Sequence, residues 1–169
     1  GRVTRWSQRF ARLKKEVECD TRYGKFIDDL LTYNTKLDGL STEKKLQDGQ
    51  FTDREIVDAL RKKERYSKKL ERNKNFETAQ IIDVEIFAII KLNFETYVEP
   101  LIFAGQSRQT IKVMVTEKIV IPIMDILNVE GQDDVFLNYN ADDILGMIFF
   151  LTGKCHINWM DYDRLQSSI

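Results

Sequence analysis

The longest apolar run in the chain reads Ile81-Ile82-Asp83-Val84-Glu85-Ile86-Phe87-Ala88-Ile89-Ile90-Lys91-Leu92, and it determines the fold class. Its apolar residues surround nearly the whole circumference of a helix, and such a helix lies in the middle of a bundle, in contact with several neighbours. This central hydrophobic helix is predicted over about 76–99. Asn75 can cap its first turn, and Pro100 is expected to end it, because a residue before proline avoids helical dihedral angles.

The segments before the apolar run also have the helical period. A first helix is predicted from a stripe of apolar residues at one-turn intervals, namely Trp6, Phe10, Leu13 and Val17. Thr52 and Glu55 form the pattern of a capping box, which starts a helix that runs towards Lys74. Between these two helices the period is lost from about 34 to 50, which predicts a loop that contains one helical turn.

Helical patterns continue after the apolar run. A helix is predicted over about 108–127, with a kink or break near 118–121 because Pro122 lies inside it. Asn140 is a strong N-cap for a further helix that Gly153 is expected to end, and residues 135–139 read as a brief extended piece. We therefore predict an all-α fold, a single bundle of about five to seven helices that forms one domain over residues 1–169.

The composition excludes several classes of protein. The chain has 169 residues, of which 43 % are hydrophobic, so it suits one domain and is too apolar for disorder. Two cysteines cannot build a disulfide framework, no apolar run reaches the length of a membrane span, and no secretory signal opens the chain. A cytoplasmic protein without membrane contact is predicted. The start Gly1-Arg2-Val3, without methionine, predicts the C-terminal part of a longer protein.

The net charge of −1 conceals two halves of opposite sign. Residues 1–75 carry 20 basic and 13 acidic side chains, whereas residues 76–169 carry 6 basic and 14 acidic ones. The densest basic stretch, over 61–74, comprises Arg61, Lys62, Lys63, Arg65, Lys68, Lys69, Arg72 and Lys74. Three interpretations stay open: a solvated helix face that neutralises the acidic half of its own domain, a contact with nucleic acid or another anion, and a contact with a protein partner.

Catalytic chemistry has little support in the sequence. The one histidine, His156, follows Cys155 directly, and neighbouring side chains in regular backbone diverge instead of forming a nucleophile–base pair. Together with Cys19 these residues make three soft ligands without the paired spacing of a zinc site. We therefore predict no catalytic residues, no metal site and no cofactor.

Asp83 stands out because it interrupts the most hydrophobic helix. A buried carboxylate must be paired or hydrogen-bonded, since burying an unpaired charge is costly. We expect Asp83 to pair with Lys118, with Arg108 or with a basic residue of the preceding helix.

The closing segment, residues 146–159, compresses unusual residue types into a short stretch. It reads Gly146-Met147-Ile148-Phe149-Phe150-Leu151-Thr152-Gly153-Lys154-Cys155-His156-Ile157-Asn158-Trp159. Gly146 is expected to permit close helix packing, and Gly153 to adopt a left-handed helix cap. If the end of the segment is extended, Cys155, Ile157 and Trp159 point to one side. The residues alone predict a tightly packed C-terminal plug.

This closing segment resembles the end of the C-terminal domains carried by effectors of bacterial ABC-three-component systems, the group that includes Lamassu-like anti-phage defence. The resemblance lies in a hydrophobic helix that passes through Gly-Met and aromatic residues into Leu-Thr-Gly-x-Cys-His-Ile-x-Trp. The residues that carry it here are Gly146, Met147, Phe150, Leu151, Thr152, Gly153, Cys155, His156, Ile157 and Trp159. A similar layout upstream, which includes Lys36-Leu37-Asp38-Gly39, extends it over roughly residues 6–159.

The resemblance implies a non-catalytic helical module appended to a variable effector domain. Such a module would couple the effector to an ABC or SMC-like ATPase and a small middle component, with self-association as a further possibility. The family supplies no binding residues, so the closing segment stands either as a contact surface or as a packing signature. The alternative function is a helical nucleic-acid-binding domain that uses the basic helix over 61–74.

Overall fold

The computed structural model describes residues 3–167, and their side chains as far as residue 164. The Gly1-Arg2 start, on which the expectation of a longer protein rests, lies outside this range. Residues 3–167 form eight helices and no strand, which confirms the all-α fold and roughly matches the expected number of helices. The helices are α1 (Arg5–Glu18), α2 (Asp28–Asn34), α3 (Thr42–Asp48), α4 (Asp53–Asn73), α5 (77–103), α6 (108–130), α7 (Ala141–Gly153) and α8 (Tyr162–Ser167).

Side-chain caps begin several of these helices. The predicted capping box of Thr52 and Glu55 starts α4, and Asn140 caps α7 reciprocally with Asp143. The prediction for Asn75 is wrong: the N-cap of α5 is Phe76, which makes no side-chain cap. The expected helical turn between 34 and 50 is α3, whose first turn is capped by Ser41. Of the three caps predicted from local polar patterns, those at Thr52 and Asn140 are confirmed.

Helix α5 lies at the centre of the bundle, as predicted. Ile82, Ile86, Phe87 and Ile90 are all buried on it. The helix contacts α1, α2, α4, α6 and α7, so most of its circumference meets a neighbour, whereas Leu92 is exposed. No helix in the described part of the chain is both long and apolar enough to cross a membrane.

Both prolines lie within continuous helices, directly after π-helical turns. Helix α5 passes through the π turn Phe94–Val98 and continues past Pro100 to Phe103, so the expected helix end at Pro100 is wrong. In α6 the π turn Thr116–Val120 precedes Pro122, and the helix continues to Glu130 without a break. A π turn changes the hydrogen-bonding register, so each proline enters the first turn of a new α-helical segment, where its missing N–H costs least.

The extended piece expected over residues 135–139 is also wrong. The Asp134 carboxylate accepts hydrogen bonds from the backbone amides of Phe136, Leu137 and Asn138. Asn138 adopts a φ of 48°, in the left-handed region. These local bonds curl the loop and satisfy amides that a strand partner would otherwise bind.

Candidate functional site

The closing segment begins where α7 lies directly against α4. A Cβ atom at Gly146 would lie 2.5 Å from the Lys62 carbonyl oxygen and 2.9 Å from the Tyr66 Cβ. Only glycine therefore permits this approach of the two backbones, as expected for this position. Met147, Phe150 and Leu151 are buried on the same helix and fill the core beside the contact.

Helix α7 ends in a left-handed turn, but at Cys155 instead of Gly153. Cys155 has a φ of 68°, while the amides of Cys155 and His156 donate to the Thr152 and Leu151 carbonyls. This pattern is a Schellman motif, which satisfies the last carbonyls of a helix. Gly153 is needed for its size, because a Cβ there would lie 2.4 Å from Thr42 Oγ1. The expected cap at Gly153 is therefore wrong by two residues.

Trp159 closes the segment inside a cage of aromatic rings. Its ring centroid lies 4.9 Å from that of Phe94 and 5.0 Å from that of Phe51, both in edge-to-face geometry. Its indole Nε1–H donates to Thr152 Oγ1 at 3.0 Å, so the buried polar atom is satisfied. A Cβ at Gly49, after α3, would lie 2.5 Å from the Trp159 Cβ. Trp159 thus joins α3, α5 and α7.

Cys155 is held by hydrogen bonds that leave it poorly suited as a nucleophile. Its thiol donates to Asp38 Oδ1 at 2.9 Å, and Asp38 also accepts from Lys45 Nζ at 2.9 Å. Burial and the Asp38 carboxylate raise the pKa of the Cys155 thiol. Since the thiolate is the reactive form, this environment opposes nucleophilic attack by Cys155.

Lys45, which was not predicted as part of a site, anchors the end of the closing segment. Its side chain is fully buried, and its ammonium group donates to Asp38 and, at 2.5 Å, to Asn158 Oδ1. The same group lies 4.9 Å from the centroid of the Tyr162 ring. Burial raises the pKa of Asp38, but the Cys155 and Lys45 hydrogen bonds outweigh it and lower the value to about 2. Lys45 thereby ties α3 to the end of the closing segment.

His156 connects the segment to the loop that follows α2. Its Nε2 lies 3.1 Å from the Thr35 carbonyl oxygen, and its ring packs 5.6 Å from that of Tyr33. Burial lowers the pKa of His156, which favours the neutral imidazole. Next to it the Lys154 carbonyl oxygen accepts a hydrogen bond from the Leu37 amide at 3.2 Å.

The end of the closing segment shows the expected alternation in burial, although its backbone is not extended. The buried side chains are those of Cys155, Ile157 and Trp159, and the partly exposed ones are those of His156 and Asn158.

The basic residues of α4 divide into several groups. Lys69 Nζ lies 2.8 Å from the buried Asp143 carboxylate of α7, with Arg65 at 3.6 Å from the other oxygen. Lys62 and Arg61 both pair with Asp58 of their own helix. Arg72 lies over the Phe136 ring, and Lys74 pairs with Glu71. Lys68 is exposed, whereas the Lys63 ammonium group donates a hydrogen bond to Thr42 of α3. Much of the basic charge is thus balanced inside the domain.

Asp83 forms a buried network with neutral partners, not the ion pair expected with Lys118 or Arg108. Its carboxylate accepts hydrogen bonds from the Tyr139 hydroxyl and from Asn73 Nδ2. Burial raises the pKa of Asp83 to about 6, and the bonds from Tyr139 and Asn73 oppose that rise. Arg72, from the preceding helix, acts on Asp83 through its charge but forms no ion pair with it among the described side chains.

A cleft of about 280 Å³ opens between α4 and α6, beside the closing segment. At its rim Glu55 binds Arg108 at 3.1 Å and Lys112 at 2.7 Å, while Arg108 lies 3.8 Å from the centroid of the Phe51 ring. Burial opposes ionisation of Glu55, but the Lys112 hydrogen bond and its other partners lower its pKa to about 2. Glu55 is thus paired with two cations, and Asp58, which also lines the cleft, is paired with Lys62.

Across the described residues, no group of three or more His, Cys, Asp or Glu side chains is placed to hold a metal ion. The closing segment instead brings together Lys45, Thr42, Phe51 and Phe94, none of which was predicted as part of a site. Lys45 had one available signal, since it shares the apolar face of α3 with Thr42 and Leu46. The closing-segment side chains described above, from Met147 to Trp159, all pack against or hydrogen-bond to other residues of the same domain.

A comparison of the sequence with models of known protein families gives a match that includes the closing segment. A model described as CTD9, the C-terminal domain 9 of the ABC-three component (ABC-3C) systems, matches residues 41–159. The match begins at the N-cap of α3 and ends at Trp159, so it covers more than two thirds of the chain and the whole closing segment. Neither the curated proteins nor the solved structures contain a match. The chain therefore belongs to the C-terminal domain 9 family of the ABC-three component systems.

Proposed function

We propose that this domain is a non-catalytic interaction module that couples an effector domain to the ABC or SMC-like ATPase and the middle component of its system. The observation that carries the proposal is the family membership over residues 41–159. A module in an ATPase-based system needs surfaces that meet its partners, and it needs no reaction of its own. We extend the proposal to Lamassu-like anti-phage defence on the resemblance of the closing segment.

The geometry of the closing segment supports a structural role for its most distinctive residues. Cys155 donates its thiol hydrogen to Asp38, and His156 approaches the Thr35 carbonyl instead of the neighbouring thiol. A nucleophile–base pair needs the two groups in mutual hydrogen-bond reach. We infer that these residues hold a rigid platform and that other residues on its surface contact the partners.

In mechanism, the ATPase complex would bind this domain in one nucleotide state and release it in another. Such a difference in affinity shifts the equilibrium between the bound and free effector. Release would then change the assembly of the effector, through self-association of the freed chains. The rigid core around α5 suits this role, because a contact on one face then moves the whole module.

The nucleic-acid alternative rests on the exposed cations of α4. Arg61 pairs with Asp58, and Arg65 approaches Asp143, which leaves Lys68 as an exposed cation of the stretch without an ion pair among the described side chains. Phosphate binding draws on several cations at once, and its affinity falls steeply with salt. The geometry thus favours a protein partner.

Co-expression with the ATPase and the middle component of the same system tests the proposal. We expect the domain to co-purify with at least one of them and to stay bound through size-exclusion chromatography. Light scattering on the domain alone measures self-association. If the purified domain binds neither protein in the presence or absence of ATP, the proposal is wrong.

A further inference from the structure

Three lysines from separate parts of the chain converge at the end of α7. Lys63 Nζ lies 2.9 Å from Thr42 Oγ1 and would lie 3.1 Å from a Cβ at Gly153, which places it beside Lys154. Lys36 reaches the same place because the amide of the next residue, Leu37, donates to the Lys154 carbonyl at 3.2 Å. We call this surface, formed by Lys36, Leu37, Lys63 and Lys154, the lysine patch.

The lysine patch brings three cations together, and no described carboxylate neutralises any of them. None of its three ammonium groups forms an ion pair with any side chain described up to residue 164. The carboxylate nearest in sequence to Lys36, Asp38, is engaged with Lys45 and Cys155. Burial lowers the pKa of Lys63, and the charges of Lys154 and Lys36 lower it further. Like charges have therefore been gathered here at a cost to stability.

The end of a helix accounts for part of this arrangement. A helix C-terminus carries roughly half a negative charge, which favours nearby cations. One lysine suffices to complement that charge, whereas three converge on this helix end. The surplus positive charge favours an external anionic group at the lysine patch.

The shape of the lysine patch favours a protein over a nucleic acid. Leu37 lies among the lysines with 61 % of its surface exposed, and an exposed apolar side chain gains nothing from a phosphodiester backbone. Nucleic-acid binding also relies on a track of cations along the strand. The exposed cations of α4, Arg61 and Arg65, instead lie close to Asp58 and Asp143.

We propose that the lysine patch docks an acidic segment of a partner protein in which carboxylates flank an apolar side chain. The carboxylates meet Lys36, Lys63 and Lys154, and the apolar side chain covers Leu37. This inference rests on the proposed coupling function and assigns it a surface: the partner is the ATPase or the middle component of the same system.

Charge reversal at the two accessible lysines tests the inference. The variant carries Lys36→Glu with Lys154→Glu, and Lys63 is left intact because it binds Thr42. We expect its affinity for the purified ATPase and middle component to fall by about tenfold or more, with a weaker dependence on salt. A neutral pair, Lys36→Gln with Lys154→Gln, is expected to lose less affinity. Thermal melting establishes that each variant is folded.

The matched control reverses two exposed lysines of α1, Lys14→Glu with Lys15→Glu, which changes the net charge by the same amount on a different helix. It is expected to bind the partners as the unmodified domain does. Equal loss in control and patch variants overturns the inference in favour of a general charge effect, and unchanged binding in the patch variant overturns it outright. In both cases the coupling function stands, whereas no binding by the unmodified domain overturns both. Loss of single-stranded DNA binding with intact partner binding assigns the patch to nucleic acid instead.

Discussion

Gly146 is the residue on which the contact between α4 and α7 most depends. A Cβ there would meet the backbone oxygen of Lys62 at 2.5 Å, and a backbone atom cannot swing aside as a side chain does. We predict that Gly146→Ala lowers the free energy of unfolding by about 2 kcal/mol or more, as overpacked cores do. Urea denaturation measures the change.

Gly39 supplies the matched control for that substitution. It lies in the loop before α3, and a Cβ there would meet no atom within 4 Å. Gly39→Ala is expected to change the free energy of unfolding by no more than about 0.5 kcal/mol. Similar stabilities of the two variants would contradict the close approach of the helices.

Asp83 gives the stability of the domain a specific pH dependence. Its pKa is about 6 in the folded chain, against 3.8 for the unperturbed group, so the folded state binds a proton that the unfolded state has released. The stability this proton provides is fully present below pH 3.8 and is lost as the pH rises through about 6, an effect on the order of 3 kcal/mol. Asp38 and Glu55 act in the opposite direction, since their folded pKa values are lowered to about 2.

The variant Asp83→Asn isolates this contribution from the other carboxylates. We predict that the unmodified chain gains stability relative to the variant as the pH falls from about 7 to 4. Urea denaturation of both chains at several pH values measures the difference. A difference in unfolding free energy that does not change over this range would count against a buried, titrating Asp83.

Residue-level prediction from the sequence succeeded where the cause is local. The close approach at Gly146 was predicted because a small residue in a dense apolar helix has few other uses. The partners of Asp83 were not predicted, because Asn73 and Tyr139 lie on other elements of the fold. Only the packed fold determines which polar side chains come together. The left-handed turn falls at Cys155, where the thiol bond to Asp38 and the packing at Gly153 are both long-range effects.

At the level of elements, the shortest of the three ion pairs between α4 and the start of α7 is the one between Lys69 and Asp143. Lys69 Nζ lies 2.8 Å from Asp143, whose side chain is fully buried and also accepts the Asn140 amide. We predict that Lys69→Met lowers the free energy of unfolding by roughly 2 kcal/mol. The substitution removes the nearest cation from the buried Asp143 carboxylate and leaves only the more distant Arg65 beside it. Thermal or urea denaturation measures the loss.

The adjacent residue provides the control on the same helix. Lys68 is exposed, and no side chain described here forms an ion pair with it. Lys68→Met is expected to change the unfolding free energy by about 0.5 kcal/mol or less. If both methionine variants lose the same stability, the loss comes from α4 itself and not from the pair with Asp143.

The helix boundaries show which features a local sequence pattern predicts and which it does not. Capping boxes at Thr52 and Asn140 located helix starts, because the cap and its partner lie within four residues. The helix end expected at Pro100 was wrong, and the irregularity expected near residues 118–121 is a π turn within a continuous helix. Both π turns pack against other helices of the bundle, which a local pattern does not reveal. The pattern of a proline in an apolar helix does not distinguish a break from a register change.

For the whole molecule, several basic side chains of the first half of the chain pair with acidic side chains of the second half. Basic residues of α4 meet acidic residues at the start of α7, and α1 pairs through Arg9 with Glu85 of α5. Composition revealed two halves of opposite charge, but it could not distinguish paired charges from unpaired ones. The fold separates them and leaves the lysine patch as a cluster of cations without counterions in the described structure.

The affinity of this domain for the purified complex of ATPase and middle component tests the proposed coupling most directly. Isothermal titration calorimetry measures it with nucleotide-free ATPase and with a non-hydrolysable ATP analogue. A module that responds to the ATPase must bind the two states with different free energies, because equal affinities shift no equilibrium. We predict dissociation constants that differ by about tenfold or more, a coupling free energy of about 1.4 kcal/mol. Equal dissociation constants, or no binding in either state, would contradict the account.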